Sequence, residues 1–156
     1  MDKDKKYYVK NYKIIQIKSI NETSRIIYEF DKVFEPSLSE RISDLNAYAE
    51  KLYKKAVIFA VTEQDNFIGF VAFYVNKNDK ISYLTQIGVK ENLQNKNIGK
   101  TLLELCIKIS RDNGMSSIKL EVFNNNIKAI EFYKKYGFDF YEEASLNSVY
   151  MIRKLK

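Results

Sequence analysis

A chain of 156 residues, 46% of them hydrophobic, holds one domain (residues 1–156) around one core and carries too much apolar content for a disordered segment. Its single cysteine, Cys106, excludes an internal disulfide, and the absence of histidine excludes Ser–His and Cys–His nucleophilic machinery and every histidine-ligated metal site. The formal charge of +6 is scattered singly and in pairs with no arginine-rich segment, a pattern of a solvated surface that favours a phosphorylated ligand over nucleic acid.

In chain order, residues 7–18 alternate loosely, with Ile15 and Ile17 against Gln16 and Lys18, and read as a first strand. Asn21 or Thr23 is a candidate cap for a helix over 24–34, which must end before Pro36, the sole proline. Ser39 precedes a second helix over 41–55, where Ile42, Leu45, Ala49 and Leu52 fall at helical spacing. Two β-rich runs, 56–62 and 67–76, flank Glu63-Gln-Asp-Asn66 and read as a hairpin; Asn78-Asp79 then turns the chain into a strand over 81–89.

The clearest helix spans 98–112. Its Ile98, Leu102, Leu105, Cys106 and Ile109 lie within about a 100° arc, and Asn113-Gly114 ends it as a left-handed cap requires. A strand over 117–123, a helix over 127–136 closed by Gly137, and an antiparallel pair over 138–141 and 148–152 complete the chain. The sum is an α/β domain: a mixed, mostly antiparallel twisted sheet flanked by about four helices.

The loop from Val89 to Lys100 joins a strand to the best helix. A helix N-terminus offers unpaired N–H groups and a partial positive charge, small loop residues let a phosphate approach, and Lys96 and Lys100 add charge at the same place. The same loop also fits an ordinary polar strand–helix connection. On the last helix, Ala129, Ile130, Phe132, Tyr133 and Tyr136 share one apolar arc opposite Lys128, Glu131, Lys134 and Lys135, an arrangement that core packing alone would explain.

Gln94-x-x-Asn97-x-Gly99, beginning five residues after Val89, resembles the Q/R-x-x-G-x-G/A signature of the GNAT superfamily of acetyl-CoA-dependent N-acetyltransferases. Asn97 stands where the family usually has its first glycine; asparagine is the residue best able to adopt glycine's left-handed conformation. Leu120-Glu121-Val122 followed by Asn126, Ala129, Tyr133 and Gly137-Phe138 resembles the family's second half, LEV-x-x-x-N-x-x-A-x-x-x-Y-x-x-x-GF, at every fixed position. The likeness covers 81–140, the expected coenzyme A-binding core; residues 21–55 correspond by element order to acceptor-side helices.

The resemblance implies a GNAT-like acyl-CoA N-acyltransferase fold and direct transfer of acetyl from acetyl-CoA to a primary amine, without metal. It places the pyrophosphate on Gln94, Asn95, Lys96, Asn97, Ile98, Gly99 and Lys100, and the pantetheine arm on backbone groups of Ile87, Gly88 and Val89, where the strand splays from its neighbour. Asn126, a helix cap by position, would also touch the cofactor. Tyr133 would be the general acid for the departing thiolate. Glu121 is the base that the motif nominates, directly or through water in a partly dry cleft, or else an outward-pointing strand acid. Gln86, where some relatives carry an acid, cannot be a base. Cys106 lies on the buried arc of its helix and is not a nucleophile.

The expected acceptor is a small amine, an amino sugar among the candidates, with polyamines, antibiotics and protein N-termini also open. Rival readings are a non-catalytic acyl-CoA-binding or sensing module, a protein N-terminal acetyltransferase and, from charge alone, a nucleic-acid binder. The N-terminus lacks a signal-type apolar stretch and the longest apolar runs fall far below the roughly 20 residues of a bilayer span, so the expected setting is cytoplasmic, with no membrane partner, as a monomer or homodimer.

Overall fold

A computed structural model describes residues 7–9, 12–94 and 97–155. The order of elements is β1 (Tyr7–Val9), β2 (Tyr12–Gln16), α1 (Ile20–Glu29), α2 (Leu38–Arg41), α3 (Leu45–Lys55), β3 (Val57–Glu63), β4 (Asn66–Asn76), β5 (Ile81–Val89), α4 (Ile98–Asp112), β6 (Ser117–Phe123), α5 (Ile127–Lys135), β7 (Asp139–Glu143) and β8 (Ser148–Lys154). The strand order is β1-β2-β3-β4-β5-β6-β8-β7. Only β5–β6 is parallel among the pairs β1–β2, β2–β3, β3–β4, β5–β6, β6–β8 and β7–β8. The expected α/β class with a mixed, mostly antiparallel sheet is therefore what the chain forms. By contacts the chain divides into two compact units, Met1–Phe73 with Gln86–Leu105 and Tyr74–Thr85 with Cys106–Lys156.

In the first unit, β1 to β4 form an antiparallel meander. The β3–β4 hairpin closes through Gln64 and Asp65, both at positive φ (50° and 67°), the backbone that a two-residue turn needs to match strand twist. Phe30, Phe59, Phe70, Ile26, Ile27, Leu38 and Leu52 are fully buried, and Phe30 meets Phe70 edge to face at 5.0 Å between centroids.

The helices of this unit depart from expectation in a way their caps explain. α1 begins at Ile20 and not at Ser24, because Ser19 accepts from the Glu22 N–H at 3.1 Å. Of the expected helix over 41–55 only Leu45–Lys55 forms one, α3, and a separate short helix, α2, ends at Arg41. Ser37 and Glu40 form a reciprocal capping box at the start of α2, Ile42 is extended, and Asp44 opens α3 by accepting from the Ala47 N–H at 3.0 Å. The expected strand over 7–18 is likewise two strands, registered Tyr7↔Ile14 and Val9↔Tyr12. The described residues therefore hold five α-helices, one more than expected.

In the second unit, β5 pairs with β6 from Ile81↔Ser117 to Leu84↔Leu120, while β6 continues to Phe123. β6 then pairs with β8, and β8 with β7. Ile118, Leu120, Phe138 and Met151 are buried. A buried Ser110–Ser82 hydrogen bond of 2.7 Å satisfies two hydroxyls in the interior. Gly114 and Gly137 end α4 and α5 at φ 79° and 90°, as their positions required. Among the described residues no helix is long and apolar enough to cross a membrane.

Candidate functional site

The end of β5 alternates. Gln86 and Gly88 are buried, while Ile87 and Val89 are half-buried on the opposite side. Phe34 lies directly over Gly88: a Cβ there would stand 2.8 Å from the ring's Cζ, so glycine lets the aromatic ring reach the strand backbone. Gln86 donates its Nε2–H to the Tyr48 hydroxyl at 2.9 Å. This part of the strand thus presents a neutral amide–phenol pair, and Gln86 can carry no proton away from a substrate.

Past Val89 the chain makes one 3-10 turn over Glu91–Leu93, and the Gln94 side chain reaches back to donate to the Val89 carbonyl at 3.1 Å. This clasp ties the loop to the strand that precedes it. Asn97 has φ 63°, the left-handed conformation that the family's glycine would take. Its carbonyl accepts from the Thr101 N–H at 3.1 Å and from the Thr101 hydroxyl at 2.9 Å, so Asn97 opens α4. Ile98 is buried and anchors the first turn, where a Cβ on Gly69 would stand 3.0 Å from its Cγ2.

No acid occupies that first turn, and the N–H groups at the start of a helix have no partner within it. Lys100 is exposed beside Gly99. Of the residues expected to hold a cofactor, Ile87, Gly88, Val89, Gln94, Asn97, Ile98, Gly99 and Lys100 fall on one continuous strand–loop–helix. Asn95 and Lys96 lie outside the described residues.

The remaining expected residues belong to the second unit. Asn126 caps α5, its side-chain oxygen accepting from the Ala129 N–H at 3.2 Å. Tyr133 packs against Phe132 (centroids 5.5 Å) and Phe138 (5.7 Å), and the Phe138 N–H donates to its carbonyl at 3.0 Å. Burial, and then Cys106, push the Tyr133 phenol above its ordinary value. It therefore stays protonated at neutral pH and is a hydrogen-bond donor. Cys106 is itself fully buried and pushed up to about 12 by burial, with the Ser110 side chain pulling weakly the other way; it is a thiol, not a nucleophile.

Glu121 stands exposed on β6 and accepts a 2.6 Å hydrogen bond from the Ser148 hydroxyl. Ser148 is buried and lies 2.7 Å from the Ser145 hydroxyl. Sequence reading missed Ser148 because the contact depends on the register Phe123↔Ser148 of β6 and β8, which no local pattern announces. It missed Tyr48 and Phe34 because helix α3 and the residue after another 3-10 turn meet β5 only through tertiary packing. Among the described residues no group of three or more His, Cys, Asp or Glu is placed to hold a metal ion.

Residues 23–138 match the family model described as the acetyltransferase (GNAT) family. The spermine/spermidine N(1)-acetyltransferase of Bacillus subtilis is 34% identical over 73 residues, 46% of this chain and 47% of that protein. The chain spans about half the length of the curated relatives it matches, between 47% and 59%. The PaiA N-acetyltransferase of Thermoplasma acidophilum, crystallised with coenzyme A, superposes with a TM-score of 0.70 at 22% identity over 90% of this chain and 98% of its own. The ribosomal-protein-S18-alanine N-acetyltransferase of Escherichia coli gives 0.73 at 18% identity over 93% and 94%. At such identities these two neighbours establish the fold.

Proposed function

The chain belongs to the acetyltransferase (GNAT) family, and on that premise we propose that it transfers acetyl directly from acetyl-CoA to a primary amine. The observation that carries this reading is Asn97 at φ 63°. The one departure from the phosphate-loop signature adopts a left-handed backbone that glycine also favours, which supports a turn that leaves the first N–H groups of α4 for a ligand. Those groups and Lys100 hold the diphosphate, with Asn95 and Lys96 included by sequence position alone. The family resemblance alone adds backbone groups of Ile87, Gly88 and Val89 for the pantetheine arm and Asn126 for contact with the cofactor.

In the reaction the neutral amine nitrogen attacks the thioester carbon, a C–N bond forms and the C–S bond breaks. The sulfur leaves with a proton from Tyr133, and the amine's surplus proton passes to Glu121, directly or through water. Solvent then restores both groups. With reference values of about 10 for a phenol and about 8.5 for a thiol, full transfer from Tyr133 is uphill by roughly 2 kcal/mol. Its upward shift makes it steeper still. Tyr133 thus works by donating a hydrogen bond that strengthens as charge builds on sulfur, not by releasing its proton early.

Gln86 favours one second reading. A neutral, buried amide stands where some relatives have an acid, as would suit a module that binds acyl-CoA without consuming it. Titrating the protein with coenzyme A and then following thiol release over a panel of amines, amino sugars and polyamines included, separates the two. Saturable heat, thermal protection and amine-dependent thiol release are expected. No heat and no protection at millimolar ligand overturn both readings, and binding without thiol release across the panel leaves the module.

A further inference from the structure

β6 buries Ile118, Leu120 and Val122 on one face and turns Lys119 and Glu121 to the other. Register places Tyr150 of β8 beside Glu121 and Glu142 of β7 beside Tyr150. Between Phe140 and Glu142 the β7–β8 register shifts, so Tyr141 is an extra residue, a bulge. Bulges re-aim side chains, and here both Tyr141 and Glu142 reach the same lysine. The Lys119 ammonium lies 4.1 Å from the Tyr150 ring centroid, 5.4 Å from that of Tyr141 and 3.8 Å from the Glu142 carboxylate. Both rings fall within the roughly 6 Å over which a ring face attracts a cation.

From this arrangement we infer that Lys119 is a specificity-determining residue that makes the chain select acceptors with a single ammonium over diamines and polyamines. The inference rests on the transferase reading, with Glu121 as proton acceptor. Three cation-attracting groups on this face are already engaged by the chain's own ammonium. Glu121, steadied by Ser148, is left to meet the acceptor's nitrogen. Lys119 stands two residues away on the same face of the strand, about 6–7 Å along it. A four-carbon diamine with one nitrogen at Glu121 would bring its second ammonium to that distance, where it meets a fixed like charge and rings that are already covered. Screened between the limits of water and protein surface, such a repulsion discriminates by about tenfold.

The test compares 1-aminobutane with 1,4-diaminobutane, in kcat/KM with acetyl-CoA and in binding to the coenzyme A complex, for the full chain and its Lys119→Met and Lys119→Arg variants. The unaltered chain is expected to prefer the monoamine by about tenfold, Lys119→Met to erase that preference and Lys119→Arg to keep it. Raising ionic strength from about 0.05 to about 0.5 M should shrink the preference without any substitution, which decides the matter even if Lys119→Met fails to fold. A native preference for the diamine, a salt-independent ratio, or a ratio unchanged in a folded Lys119→Met variant overturns the inference. If coenzyme A binds but neither amine is acetylated, the wider amine panel judges the transferase reading, and the two binding constants still judge this one.

Discussion

Replacing Asn97 tests whether backbone conformation, and not side-chain chemistry, makes the diphosphate site. At φ 63° a residue with an ordinary Cβ loses roughly 1–2 kcal/mol relative to right-handed backbone, and asparagine loses least of the non-glycine residues. Valine at this position adds a branched Cβ, while the bonds from Thr101 end on the Asn97 carbonyl and survive any side-chain change. The loop can then leave the left-handed state and relax, so that only a fraction of molecules presents the first turn of α4 correctly. Apparent affinity falls by that fraction. A bias of about 1–2 kcal/mol corresponds to roughly 5- to 30-fold. Isothermal titration with coenzyme A should show Asn97→Gly binding at least as tightly as the native chain and Asn97→Val weaker by that factor, with unliganded melting followed in parallel. Equal affinity for Asn97→Val at unchanged stability would refute the idea that this turn aims the anion-binding groups.

Two other outcomes follow from the second unit. Tyr133→Phe should lower kcat by on the order of 100-fold and leave coenzyme A affinity unchanged, since the phenyl ring keeps its packing against Phe132 and Phe138; steady-state kinetics with unaltered kcat would remove Tyr133 from the reaction. Burial holds the Cys106 proton in the folded state up to about 12 against an ordinary 9.0, so its contribution to stability is complete below about pH 9. It is lost as pH rises toward 12, by about 1.4 kcal/mol per pH unit. Urea melts across this range should fall more steeply for the native chain than for Cys106→Ala, and parallel curves would contradict the burial argument.

Features carried by neighbouring residues were legible and those carried by register were not. Asn126, Gly114 and Gly137 announce their caps within a few residues, and the apolar arc of α4 is a periodic signal that burial confirms. The split between α2 and α3 was hidden for an equally local reason. Ile42, Leu45, Ala49 and Leu52 keep helical spacing across the break, and that apolar rhythm masks Ser37-x-x-Glu40 and Asp44, two start signals in succession. Ser19-x-x-Glu22 was a third such signal. By contrast, Ser148 lies 27 residues from Glu121 and Tyr48 lies 38 from Gln86. The bulge that gathers Tyr141 and Glu142 onto Lys119 exists only once β7 and β8 have paired.

Under the proposed transfer, a chain without histidine needs no group poised near neutrality for either proton step. In the proposed reaction the leaving sulfur needs a donor that keeps its proton until charge appears, and desolvation of the Tyr133 phenol, on a half-buried residue, favours that by penalising the phenolate. In that proposed reaction the surplus proton of the attacking amine passes to Glu121, an exposed carboxylate oriented by a buried serine, which can hand it to water without being enclosed. The first unit then needs no side-chain acid or base. Its work is conformational: a left-handed asparagine, an amide clasp from Gln94 and a glycine that admits the Phe34 ring. On the proposed assignment Gln86 forms a neutral wall with Tyr48, and the proton is left to Glu121.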